Sequence, residues 1–120
     1  MNQVLDTNVI LYLLGNKLSE PLPPGHYYAS IITEMELLSF PSLTQTEEKA
    51  IRSFLDEIQI VGITPDVRDR AIHLRRDHRL KLPDAIIAAT ALTLDALLLT
   101  NDSGITQAPE LRCQSVSLQG

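Results

Sequence analysis

Leu82-Pro83-Asp84-Ala85-Ile86-Ile87-Ala88-Ala89-Thr90-Ala91-Leu92, continuing through Ala96-Leu97-Leu98-Leu99-Thr100 to Asp102, is the stretch whose reading decides the fold. Proline near its start is a helix-opening signal, because the missing N–H is one that a first turn leaves unbonded anyway. The helix expected from Asp84 to about Leu94 presents Ala85, Ala88, Ala89 and Ala91, so little bulk would separate it from a sheet. Ala96 to Thr100 has no polar alternation and reads as a strand buried on both faces, as parallel strands covered by helices are.

The same order recurs outward from this unit. A strand is expected near Gln3 to Leu5 and a helix from about Thr7 to Leu14, with Leu5, Val9 and Leu13 at i, i+4 spacing. Pro21, Pro23, Pro24 and Gly25 mark a loop, followed by a strand at His26 to Ala29 and a helix from Ser30, a good N-cap, to about Phe40. Thr44-Gln45-Thr46-Glu47 has the capping-box pattern, and Ala50, Ile51, Phe54, Leu55 and Ile58 form one face of the helix behind it. A strand at Gln59 to Gly62, a helix from Pro65 to about His78 and a last strand near Cys113 to Ser117 complete the chain. Strands alternating with crossover helices define an α/β class. At 120 residues and 44% hydrophobic, the chain suits a single domain, residues 1–120, with one sizeable core.

The lone Cys113 can form no internal disulfide, and Met1-Asn2-Gln3-Val4 has no basic start leading into an apolar signal core, so a cytoplasmic protein is expected. The longest apolar runs fall far short of the roughly 20 residues that cross a bilayer. The formal net charge of -5 argues against a polyanion as partner, but six of the ten basic residues crowd into one short segment: Arg68, Arg70, Arg75, Arg76, Arg79 and Lys81. Either this is a solvated helix face, since Asp66-Arg70 and Asp69-His73 sit at helical neighbour spacing, or it is a phosphate-contacting element on an acidic protein.

Four carboxylates sit at expected strand ends or helix starts: Asp6, Glu36, Asp84 and Asp102. Each has a plain structural explanation when taken singly. Asp6 and Asp84 suit helix caps, Asp102 suits a turn in Asn-Asp-Ser-Gly, and Glu34 competes with Glu36, from which helical pattern barely separates it. Taken together they suggest a site, because ligands of open parallel sheets bind beyond the carboxyl ends of the strands. Clustered carboxylates repel unless they hold a cation or share protons. His26, His73 and His78 fit no zinc spacing, so oxygen-only ligands point to Mg2+ or Mn2+, and hence to phosphodiester hydrolysis.

These blocks, in this order, resemble the PIN-domain ribonucleases and, within them, the VapC toxins of type II toxin–antitoxin systems. LDTNVILYLL (5–14) is similar to the opening strand with its first acid, SIITEMELL (30–38) to the second block, LKLPDAIIAATAL (80–92) to the third and LLLTNDSGI (97–105) to the last. The resemblance selects Glu36 over Glu34 and implies that Asp6, Glu36, Asp84 and Asp102 hold Mg2+ or Mn2+. It also implies a three-layer α/β/α sandwich, hydrolysis of RNA, a homodimer and a small antitoxin partner. Asn8, Ser30 and Thr100 are the expected supporting polar residues, and Arg75, Arg76, Arg79 and Lys81 the expected RNA contacts. Ile105 departs from the aromatic or leucine common there, and the loop before the second strand is short and proline-rich.

Three other readings are open. A phosphoacceptor receiver domain wants an acidic pair before its first helix and a lysine near its last strand, and neither is present. A non-catalytic PIN-like module binding RNA or protein would not need all four acids. A housekeeping RNA-processing nuclease would share the chemistry without an inhibitory role.

Overall fold

The computed structural model describes residues 1–120. Five strands form one all-parallel sheet in the order β3-β2-β1-β4-β5: β1 (Asn2–Leu5), β2 (His26–Ser30), β3 (Gln59–Val61), β4 (Leu97–Leu99) and β5 (Cys113–Gln114). The helices are α1 (Thr7–Leu14), α2 (Ile31–Leu38), α3 (Gln45–Asp56), α4 (Pro65–His78), α5 (Leu82–Thr93) and the short α6 (Ser103–Thr106).

Side chains alternate across a pleated strand, and the two faces of the sheet bury separate cores. Val4 and Leu98 face Val67, Ala71 and Leu74 of α4 and the alanines of α5, while Leu5, Ala29 and Leu99 face Val9 and Ile10 of α1, Leu37 of α2 and Ile51 and Leu55 of α3. This is the expected α/β/α sandwich. No helix is long and apolar enough to cross a membrane.

Several boundaries differ from expectation for local reasons. α2 stops at Leu38 with Ser39 as its C-cap, before Phe40-Pro41, because the residue preceding a proline is pushed out of helical conformation. β4 and β5 are shorter than expected, and the turn after β4 closes into α6, where the Asp102 carboxylate accepts the Gly104 N–H at 2.8 Å. α5 begins at Leu82, so Asp84 lies inside its first turn, and Lys81 is an N-cap without a side-chain bond. Gly25 sits where a Cβ would stand 2.5 Å from the Gln3 amide nitrogen and 2.7 Å from the Met1 carbonyl oxygen, so only glycine lets this loop enter β2 beside β1.

Candidate active site

β1 is the central strand. The chain builds outward through β2 and β3 on one side and through β4 and β5 on the other, so the sheet changes winding direction at the β1–β4 pair. Beyond the carboxyl ends of such strands the helices leading away diverge and leave a crevice. A pocket of about 300 Å³ lies there, and Asp6, Glu36, Asp84 and Asp102 line it together with Thr7, Asn8, Leu11, Ser39 and Phe40.

Asp6 directly follows β1, with its backbone N–H still bonded to the Leu99 carbonyl of β4 at 3.0 Å. It is 5% exposed, and both of its carboxylate oxygens are engaged. Oδ1 accepts the Thr7 N–H at 2.7 Å and Oδ2 accepts the Thr100 hydroxyl at 2.6 Å. The Thr100 oxygen in turn accepts the Asp102 N–H at 3.0 Å, so one buried hydroxyl ties two of the acids together. Glu36 is oriented by Thr7, whose hydroxyl donates to Oε1 at 2.7 Å. The same Thr7 oxygen lies 3.1 Å from the hydroxyl of the fully buried Thr33, one helical turn before Glu36. Glu34 lines no part of the pocket.

Burial pushes the Asp6 carboxyl above its usual range, and the hydrogen bonds from Thr100 and Thr7 only partly oppose this. The Asp84 carboxyl is pushed up to about 6, first by burial and then by the charges of Asp102, Asp6 and Glu36, with Lys81 alone pulling it down. Four segments far apart in sequence therefore feel one another's charge. As they stand, no three of these carboxylates are gathered tightly enough to grip one bare ion between them, and those of Asp6, Glu36 and Asp102 are turned toward hydroxyl or backbone donors. The donors are all oxygen, and that set fits a hard cation which keeps part of its water shell between itself and the protein.

The supporting residues divide. Asn8 is exposed on the pocket wall, Thr100 is buried beneath it, and Ser30 lies elsewhere, its hydroxyl accepting the Ile32 N–H at 3.0 Å as the N-cap of α2. Thr7, Thr33 and Phe40 were not singled out from sequence. Thr7 could have been, since it adjoins the first acid at a helix start, but nothing local reveals that Thr33 and Phe40 approach it.

Among the basic residues, Lys81 is the one whose charge acts on Asp84. Arg75, Arg76 and Arg79, with Arg68, line a different cavity of about 560 Å³ between α4 and α5, floored by Ala71, Leu80 and Ile86 and sharing no wall with the acids. Arg75 is anchored there by a bond from Nε to the Leu80 carbonyl oxygen at 3.3 Å.

Solved structures with this fold include a toxin–antitoxin complex from Klebsiella pneumoniae, 29% identical over 91% of this chain and 94% of that one, with a TM-score of 0.74. VapBC2 from Rickettsia felis, bound to a DNA fragment from its promoter, is 19% identical with a TM-score of 0.81 over 98% of this chain and 100% of that one. VapBC-1 from nontypeable Haemophilus influenzae is 24% identical with a TM-score of 0.76 over 96% and 98%. No curated protein sequence matches the chain. The PIN domain family model matches residues 4–111, which take in the end of β1, all of β2, β3 and β4 and all four pocket acids, and the chain belongs to the PIN domain family.

Proposed function

We propose that this protein is a Mg2+- or Mn2+-dependent endoribonuclease, the toxin half of a toxin–antitoxin pair. The observation that carries the reading is the meeting of Asp6, Glu36, Asp84 and Asp102 in one pocket at the β1–β4 switch point, with two of their carboxyls pushed upward. Such an arrangement is costly for a protein that leaves it uncompensated. It therefore argues against a module that merely binds.

Asp6, Asp84 and Asp102 would hold the cation, with Glu36 completing the site directly or through water. When bound, the ion offsets charge on the phosphate and lowers the pKa of a water. The chain's own contribution is alignment. Thr100 fixes Asp6 and the backbone of Asp102 through one hydroxyl, and Thr7 holds Glu36. Asn8 offers an exposed amide to a phosphate oxygen, Lys81 moderates the negative field beside Asp84, and Ser30 acts only by starting the helix that carries Glu36. Arg75, Arg76 and Arg79 would contact phosphates remote from the cleaved bond, since their groove is separate from the pocket.

A small antitoxin protein and a second copy of the chain are the expected partners, and the cytoplasm the expected location. The toxin–antitoxin complexes of the same fold, one of them 29% identical, support the toxin assignment over a housekeeping nuclease. Cleavage of total RNA by the purified protein with Mg2+ or Mn2+ tests the reading. Activity abolished by chelator and by Asp6→Asn is expected. An Asp6→Asn protein that cut as fast as its parent would sink it.

A further inference from the structure

We propose that Phe40, with the groove between α1 and α3, forms a stacking subsite for one nucleobase of the single-stranded RNA, adjoining the carboxylate pocket. This rests on the nuclease reading above.

Phe40 and Leu11 are walls shared by the acidic pocket and by a neighbouring cavity of about 390 Å³. The two spaces therefore adjoin. Phe40 is 46% exposed, although burying an aromatic side chain is normally favourable. Its backbone is held from both sides. Ser39 caps α2 immediately before it, Pro41 restricts it to extended conformation, and the Leu43 N–H donates to the Phe40 carbonyl at 3.1 Å, closing a turn. With its backbone fixed in this way, the exposed ring is presented where the two spaces adjoin, available to meet another flat ring.

The rest of the groove selects the same ligand by what it can and cannot bind. Leu14, Leu43, Ala50 and Ile51 make it apolar, and no lysine or arginine lines it. Its one charged wall, Glu47, is committed to capping α3, accepting the Thr44 N–H at 2.9 Å. Such a space repels a phosphate and suits an uncharged planar group. In a strand whose phosphate sits among the acids, the group projecting beside that phosphate is a base. Stacking accepts any base, so the subsite supplies affinity and alignment while leaving sequence choice to other contacts.

The test uses a hexanucleotide spanning a bond that the parent cleaves in total RNA, with an abasic position moved along it. In the parent, one position should lower kcat/KM roughly 5- to 150-fold, the range carried by base–aromatic stacking. Phe40→Leu should lose a similar factor on the intact hexamer and nothing further at that abasic position, while Phe40→Tyr should follow the parent. Independently of turnover, 2-aminopurine at that position should be quenched on binding to Asp6→Asn protein, and the quench should vanish when Phe40→Leu is added. Folding of each variant is checked by its melting temperature; should Phe40→Leu not fold, Phe40→Tyr and the quench in Asp6→Asn decide. The subsite is overturned, with the nuclease reading intact, if Phe40→Leu cleaves the intact hexamer like the parent or keeps the abasic penalty. It is likewise overturned if that variant's only effect is to release a second copy of the chain in sedimentation. Absence of any metal-dependent cleavage by the parent marks failure of the nuclease reading itself.

Discussion

The acidic pocket at the end of β1 and the arginine-lined groove between α4 and α5 concentrate opposite charges by different means. In the pocket, the acids come from four separated segments and are partly or wholly buried, and Asp6, Glu36 and Asp102 are held by short hydrogen bonds from Thr7, Thr100 and backbone N–H groups. In the groove, Arg68, Arg75, Arg76 and Arg79 lie within one short segment, remain exposed and surround an apolar floor. Like charges exposed to water cost little, because solvent screens them. Like charges drawn into a crevice raise each other's pKa and demand compensation. Density of charge in the sequence is thus a poor guide to where chemistry resides. The dispersed acids are the functional candidates, and the dense basic cluster is a surface.

The sharpest way to break this contrast is to neutralise one acid. Asp84→Asn should lower RNA cleavage on the order of 100-fold or more, as loss of one preorganised charge-stabilising group does. The same change should stabilise the metal-free protein at neutral pH, a combination unexpected of a merely structural aspartate. The sign follows from the raised carboxyl. The folded protein holds the Asp84 proton more tightly than the unfolded chain, so this contribution to stability is complete below about pH 4 and lost as pH rises to about 6. Melting temperatures of the metal-free parent should fall across that window, recover with Mn2+, and vary less with pH in Asp84→Asn.

A smaller effect sharpens the contrast from the side of alignment. Thr7→Val removes the donor that holds Glu36 and should reduce activity and Mn2+ affinity about 10- to 100-fold, the usual cost of losing a ligand-orienting partner. Thr7→Ser should retain both. Equal losses in the two variants would show that the hydroxyl does not orient Glu36.

On the groove side the expected effects are modest. Replacing Arg75 and Arg76 with alanine should weaken RNA binding evenly across sequences and flatten its dependence on salt, by a slope of about 1 for each phosphate contact removed. Cleavage at saturating RNA should not change, and a collapse of kcat would place these arginines at the chemistry after all. The smallest expected change is at Arg79, which ends α4 with φ 56 in the left-handed region. Arg79→Gly should stabilise the fold by about 0.5–1 kcal/mol in urea unfolding, the relief of left-handed strain less glycine's greater freedom when unfolded.

Hydrophobic periodicity, proline starts and capping residues depend on neighbours within a few positions, so the sequence by itself determined the strands, the long helices and the parallel α/β class. It also determined that Asp6 and Asp102 would stand at strand ends, because the apolar runs before them end there. Only the tertiary structure decided that Asp84 shares one pocket with Asp6, Glu36 and Asp102, that Thr33 and Thr7 share the support of Glu36, and that the arginine groove and the acidic pocket have no common wall. Those relations join residues tens of positions apart. They are set by which strands pair at the centre of the sheet and how the helices crossing it pack, and no local pattern carries that information.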